Sequence, residues 1–95
     1  MIMYDGIQTG VKYYWKRSDG WDWTEPDGSE TRHWWEYFIE FSGFNGAGGA
    51  WLLEWHKWNS SGFEWNPQPR TLSYDETMRI VDQIRLHQSR SLASV

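Results

Sequence analysis

The chain has 95 residues, a mass of 11.4 kDa and no cysteine, and nine Trp, five Tyr and four Phe give it an aromatic content of 19%. One domain of this length buries about 65% of its extended surface, and the lack of cysteine excludes a disulfide framework, a thiolate metal site and a Cys nucleophile. A formal net charge of −4 with a mean hydropathy of −0.80 excludes a membrane-spanning helix and disfavours phosphate backbones.

Residues 1–10 (MIMYDGIQTG) contain neither a basic n-region nor an apolar h-region, so the expected location is cytoplasmic, and the segment itself suits a short edge strand. Residues 11–17 alternate, with Val11, Tyr13 and Trp15 opposite Lys12, Tyr14 and Lys16. Ser18-Asp19-Gly20 fits a three-residue hairpin loop, which would pair this strand with Trp21–Glu25 and set Trp15 across from Trp23. Pro26-Asp27-Gly28 is a second turn signal, and Gly20 to Phe41 then reads as another hairpin. The clearest strand is 31–41, where His33, Trp35, Tyr37, Ile39 and Phe41 alternate with Arg32, Trp34, Glu36, Phe38 and Glu40.

The stretch Ser42–Ala50 (SGFNGAGGA) holds four of the nine glycines and links two strands without any cation, so it reads as a hairpin tip displaying Phe44 and not as a phosphate cradle. Residues 51–58 alternate again, with Trp51, Leu53 and Trp55 against Leu52, Glu54, His56 and Trp58. A short strand is expected at 63–65, inside a six-residue echo in which Ser60–Trp65 repeats the form of Ser18–Trp23. From Ser73 the period becomes helical. Ser73 and Glu76 form a capping box, and Tyr74, Met78, Ile80, Val81 and Ile84 make one apolar stripe, predicting a helix over 74–88. The fold class predicted is α+β: an antiparallel meander of four to six strands with one C-terminal helix packed on one face.

Charge is uneven along the chain. Between Asp19 and Glu40 seven acids meet one base, Arg32, a field that suits either a solvated face or the docking of a basic surface. A symmetric hairpin centred on the glycine tip would oppose Trp34 to Trp58 and Glu36 to His56, a carboxylate and an imidazole walled by two indoles. General-base work by that pair lacks a second group for developing charge. His33, His56 and His87 have no metal-ligand spacing, and no Ser sits in a G-x-S-x-G elbow. No catalytic residue, cofactor or metal site is therefore assigned.

More rings are available than one helix can cover, which points to burial by something else. The expected function is a non-catalytic protein-binding module, an inhibitor or adaptor with a basic protein partner, and a homodimer is expected. Small acidic inhibitors from phage and other mobile elements share this size and charge, with no motif in common. The residues expected at the interface are Trp34, Glu36, Phe38, Phe44, His56 and Trp58, with Asp22 and Asp27, while Trp15 and Trp55 are expected in the core. Two alternatives are a binder of nucleotides or sugars that stacks them on Trp, and a single-stranded nucleic-acid binder, which the acidic charge disfavours.

Overall fold

The computed structural model describes residues 4–59 and 67–93, with side chains to Ser89. Six strands precede one helix: β1 (Lys12–Arg17), β2 (Trp21–Thr24), β3 (Glu30–His33), β4 (Trp35–Phe44), β5 (Ala50–Trp58), β6 (Gln68–Leu72) and α1 (Tyr74–Ala93). Strands β1-β4-β5-β6 form a four-stranded antiparallel sheet, and β2-β3 form a separate two-stranded one. The α+β class with a meander-like antiparallel sheet and a C-terminal helix is as predicted.

Pairing within that class differs from expectation in three places. First, β1 pairs with β4 and not with β2. Ser18 continues the β1 ladder instead of turning back: its N–H donates to Trp35 O and its hydroxyl accepts from Trp35 N, both at 2.9 Å. Second, the strand expected over 31–41 is broken at Trp34 into β3 and β4. Asn59 holds the break, donating from its backbone N–H to Trp34 O at 3.2 Å. Because His33 and Trp35 keep their two-residue spacing across it, the alternation reads straight through the bend.

Third, β4 and β5 are one residue out of the symmetric register. Phe38 faces Trp55, Tyr37 faces His56, Glu36 faces Lys57 and Trp35 faces Trp58. A bulge between Phe41 and Gly43 is the cause. One extra residue flips every later side chain to the other face, so Leu52, Glu54, His56 and Trp58 share a face with Trp35, Tyr37, Ile39 and Phe41. Trp55 thereby leaves the core face expected for it. The predicted Glu36–His56 pair does not form. Trp15 does pack against the core, from a second bulge between Tyr14 and Lys16.

The core lies on that first face. Ile39, Phe41 and Leu52 from the sheet meet Ile80, Val81 and Ile84 of the helix, with Tyr4 and Ile7 at one end. Residues 4–10 supply those two side chains from turns and not from an edge strand. Phe44 belongs here too: it stacks on Phe41 at 5.0 Å and against Tyr4 at 5.3 Å. The expectation that the glycine tip displays Phe44 is therefore overturned. The loop is only Asn45–Gly49, and it is fastened from three sides. Asn45 Oδ1 accepts from the N–H groups of Ala47 and Gly49, Tyr4 Oη donates to Gly48 O at 2.6 Å, and the Tyr74 ring packs on Gly48, whose φ of +88° suits glycine.

Strand β6 was not anticipated because Pro69 interrupts its pattern. Proline is tolerated on an edge, which is where β6 lies. The strand predicted at 63–65 falls outside the described residues. The helix runs beyond the predicted 88 to Ala93. Its stripe is as read, except that Tyr74 is exposed and Thr77 is fully buried, its hydroxyl donating to Ser73 O at 2.7 Å.

The capping box forms. Glu76 N–H donates to Ser73 Oγ at 3.3 Å, and Ser73 N–H and Oγ–H donate to Glu76 Oε1 at 3.4 and 3.0 Å. These bonds, hydroxyl first and backbone second, hold the Glu76 carboxyl below its ordinary range. Ser73→Ala is expected to cost about 1 kcal/mol in a urea melt at neutral pH. A depressed folded-state value stabilises above the ordinary glutamate value and is lost as the pH falls through the lowered one. The gap between wild type and variant should therefore shrink in melts well below the glutamate range; an unchanged gap contradicts the assignment.

Candidate functional site

The helix begins beside the glycine loop and reaches β1 at Tyr14, whose ring meets His87 edge-on at 4.6 Å. Trp35 and Trp58 close the other end of the β4–β5 pair, and the β2–β3 hairpin stands next to them. The hairpin's register follows from the Pro26-Asp27-Gly28 turn. Gly28 N–H donates to Glu25 O at 2.9 Å, and Asp27 Oδ1 accepts from the backbone N–H and the hydroxyl of Ser29 at 2.9 and 2.6 Å. The Ser29 hydroxyl, then its N–H, holds the Asp27 carboxyl below its usual range. This turn sets Trp21 opposite His33 and Trp23 opposite Thr31, so Trp21, Trp23, Glu25 and His33 share one side of the ribbon.

Trp58 fills the angle between ribbon and sheet. His33 stacks on it at 5.0 Å and 30°, Trp21 meets it edge-on at 5.4 Å, and Trp35 meets it edge-on at 4.8 Å. Trp21, Trp23, Glu25, His33 and Trp58 enclose an open cleft of about 310 Å³. Trp23 is 55% exposed. Glu25 Oε1 lies 3.5 Å from His33 Nε2, while His33 Nδ1 is buried with no hydrogen-bond partner among the described residues. The chemistry on offer is three indoles, an imidazole and one carboxylate, a surface that binds by stacking and by negative charge.

Of the residues expected at an interface, only Trp58 lines this cleft. His56 lies next along the same face, its ring 4.8 Å from Tyr37 and its Nε2 3.7 Å from Glu54 Oε1, while Glu54 Oε2 accepts from Arg70 Nη1 at 2.7 Å. Trp34 is half-buried at the bend with Arg17 Cζ 5.1 Å from its ring. Asp22 faces away on the far side of the ribbon, paired with Arg32 at 3.3 Å. Asp27 is held in the turn. Glu36 and Phe38 are on the opposite sheet face, Phe38 edge-on to Tyr14 at 5.6 Å. Burial and then the Glu36 charge raise the Tyr14 phenol, with Arg17 opposing.

That second face shows how this chain treats a cation beside a ring. Lys12 Nζ lies 4.5 Å from the Trp55 centroid and 3.6 Å from Glu40 Oε1, and the same oxygen accepts from Trp55 Nε1 at 2.9 Å. On the first face, Lys16 Nζ lies 4.4 Å from Trp15 and 5.0 Å from Tyr37.

Sequence reasoning missed Trp21, Trp23, Glu25 and His33 as a group. The two-residue spacing of Trp21, Trp23 and Glu25, folded back on His33 by the Pro-Asp-Gly turn, was the available signal. The hairpin across that turn is as expected, but the break at Trp34 that sets it against Trp58 is not. Among the described residues no three His, Asp or Glu are grouped to hold a metal ion, and no helix is long and apolar enough to cross a membrane. Comparisons with family models, with curated proteins and with solved structures find no match for this chain, so the reading of the cleft rests on its own chemistry.

Proposed function

We propose that this protein is a non-catalytic binding module that docks onto a basic surface of a protein partner, through the ribbon and the sheet end beside it. The observation that carries this is the cleft of Trp21, Trp23, His33 and Trp58 with Glu25 among the rings. Aromatic side chains with two rotatable bonds give large contact area at low entropic cost, the profile of an interface anchor. The carboxylate, together with the acid-rich stretch from Asp19 to Glu40, draws positive charge and repels phosphate backbones. A protein partner is therefore favoured over a nucleic acid.

Immobilised wild type and Trp23→Ala should be compared for retention of proteins from a lysate at low salt. Trp23 is exposed, so its loss should leave the circular dichroism spectrum unchanged, yet the variant should bind the retained basic partner at least about tenfold more weakly. Retention of no basic protein, or equal retention by both, overturns the proposal.

A further inference from the structure

The cleft is specific enough to say which chemical group enters it, a step that rests on the function proposed above. We infer that the cleft between Trp21, Trp23 and Trp58 receives an arginine side chain of the partner, its guanidinium stacked on the indoles and bonded to Glu25.

The first argument is charge complementarity at short range. A carboxylate set among aromatic rings favours a cation twice, by its own charge and through the negative faces of the rings. The chain builds this constellation elsewhere and fills it from within: at Trp55 and Glu40 the cation is Lys12. The rings of Trp34 and Trp15 likewise carry cations of this chain, Arg17 and Lys16. At the cleft the rings and the carboxylate are present, yet among the described residues no Lys or Arg lies over Trp21, Trp23 or Trp58. Arg32, the base nearest in sequence, is directed to Asp22 and to Asp19 O instead.

The second argument selects guanidinium over ammonium. An ammonium is compact and strongly hydrated, and needs several acceptors to replace its water. This cleft offers one carboxylate and flat apolar walls. Lys12 keeps its ammonium over Trp55 while its side chain remains 36% exposed and so partly hydrated. A guanidinium is planar and weakly hydrated. It stacks on an indole face and presents a fork of two N–H groups to one carboxylate. Glu25 Oε1 is near His33, and Oε2 has no protein donor among the described residues, so the fork has an open oxygen to engage. The volume of about 310 Å³ is at the small end for ligand pockets, the scale of a single side chain.

The test uses the whole protein and three small probes: N-acetylarginine amide, its neutral isostere N-acetylcitrulline amide, and N-acetyllysine amide. The indole N–H resonances are assigned by single Trp→Phe substitutions. Arginine amide should shift those of Trp21, Trp23 and Trp58 saturably, with a dissociation constant on the order of 1 mM, and leave those of Trp51 and Trp55 unmoved. Citrulline amide should shift none. Glu25→Gln, with its remaining spectrum superposable on wild type, should weaken arginine binding about tenfold, and Trp23→Phe should retain it, since the ring face is conserved. A linear, unsaturated response, equal shifts from citrulline or lysine amide, or undiminished binding by Glu25→Gln would overturn the inference. Partner retention that survives Glu25→Gln overturns it while leaving the binding-module reading intact. Saturable arginine binding in a protein that retains no partner supports the cleft chemistry and overturns the module.

Discussion

Phe41→Ala is expected to lower stability by about 3–5 kcal/mol, against a total of roughly 5–14 kcal/mol for a chain of this length. The side chain is fully buried, lies opposite Leu52 and stacks on Phe44 at 5.0 Å. The neighbours cannot close on the space it leaves. Its strand is paired on both sides, Phe44 is braced by Tyr4, and Gly10 N–H is bonded to Phe41 O at 3.0 Å. The cavity therefore stays largely open, which places the cost toward the upper part of the range. In a thermal melt this is a fall on the order of 20 °C. A companion pair reads the register. Leu52 is 2% exposed on the helix face, while Leu53 is half-buried on the other, so Leu52→Ala should cost about 3 kcal/mol and Leu53→Ala clearly less. The symmetric register would reverse that order, and a reversed order would contradict the bulge at Ser42.

The helix and the turn between β2 and β3 were legible because their signals are local. Ser73 and Glu76 define a cap within three residues, and Pro26-Asp27-Gly28 with Ser29 defines a turn within four. The β4–β5 register was not legible from alternation, because the bulge that sets it answers to tertiary packing. Phe41 and Phe44 both enter the core although they are three apart, a spacing that a regular strand sends to opposite faces. One extra residue resolves the conflict. Gly43 also leaves room for the Trp51 ring, whose Cε3 lies 3.4 Å from the position a Cβ would take. The cleft was hidden for a related reason. It draws residues from β2, β3 and β5, and the alternation reads one unbroken strand across Trp34, where the structure bends. A meander strand shared between β1 and 31–41 would have set Trp23 beside Trp15, whereas the bend at Trp34 swings the β2–β3 hairpin against Trp58.

Gly49→Ala is expected to be strongly damaging, costing about 3 kcal/mol, while Gly46→Ala three residues earlier in the glycine loop should be neutral or slightly stabilising. A Cβ at Gly49 would collide with the carbonyl oxygen of Leu72 and stand 2.8 Å from Asn45 Nδ2. Neither can give way cheaply. Leu72 is 2% exposed and paired with Ala50 across the β5–β6 ladder, and Asn45 is held by its bonds to Ala47 and Gly49. Relief requires opening the end of the ladder directly above the core, which exposes Ala50 and Leu72 together. At Gly46 a Cβ meets nothing within 4 Å and the backbone is outside the left-handed region, so alanine there chiefly removes freedom from the unfolded chain. Urea melts of the two variants should move in opposite directions or differ by at least about 2 kcal/mol. If both glycines tolerate alanine equally, the loop is the mobile tip that its composition suggests and does not close the core. Phe44 would then lose its brace, and the stabilising role given to the Tyr4–Gly48 bond would fall with it.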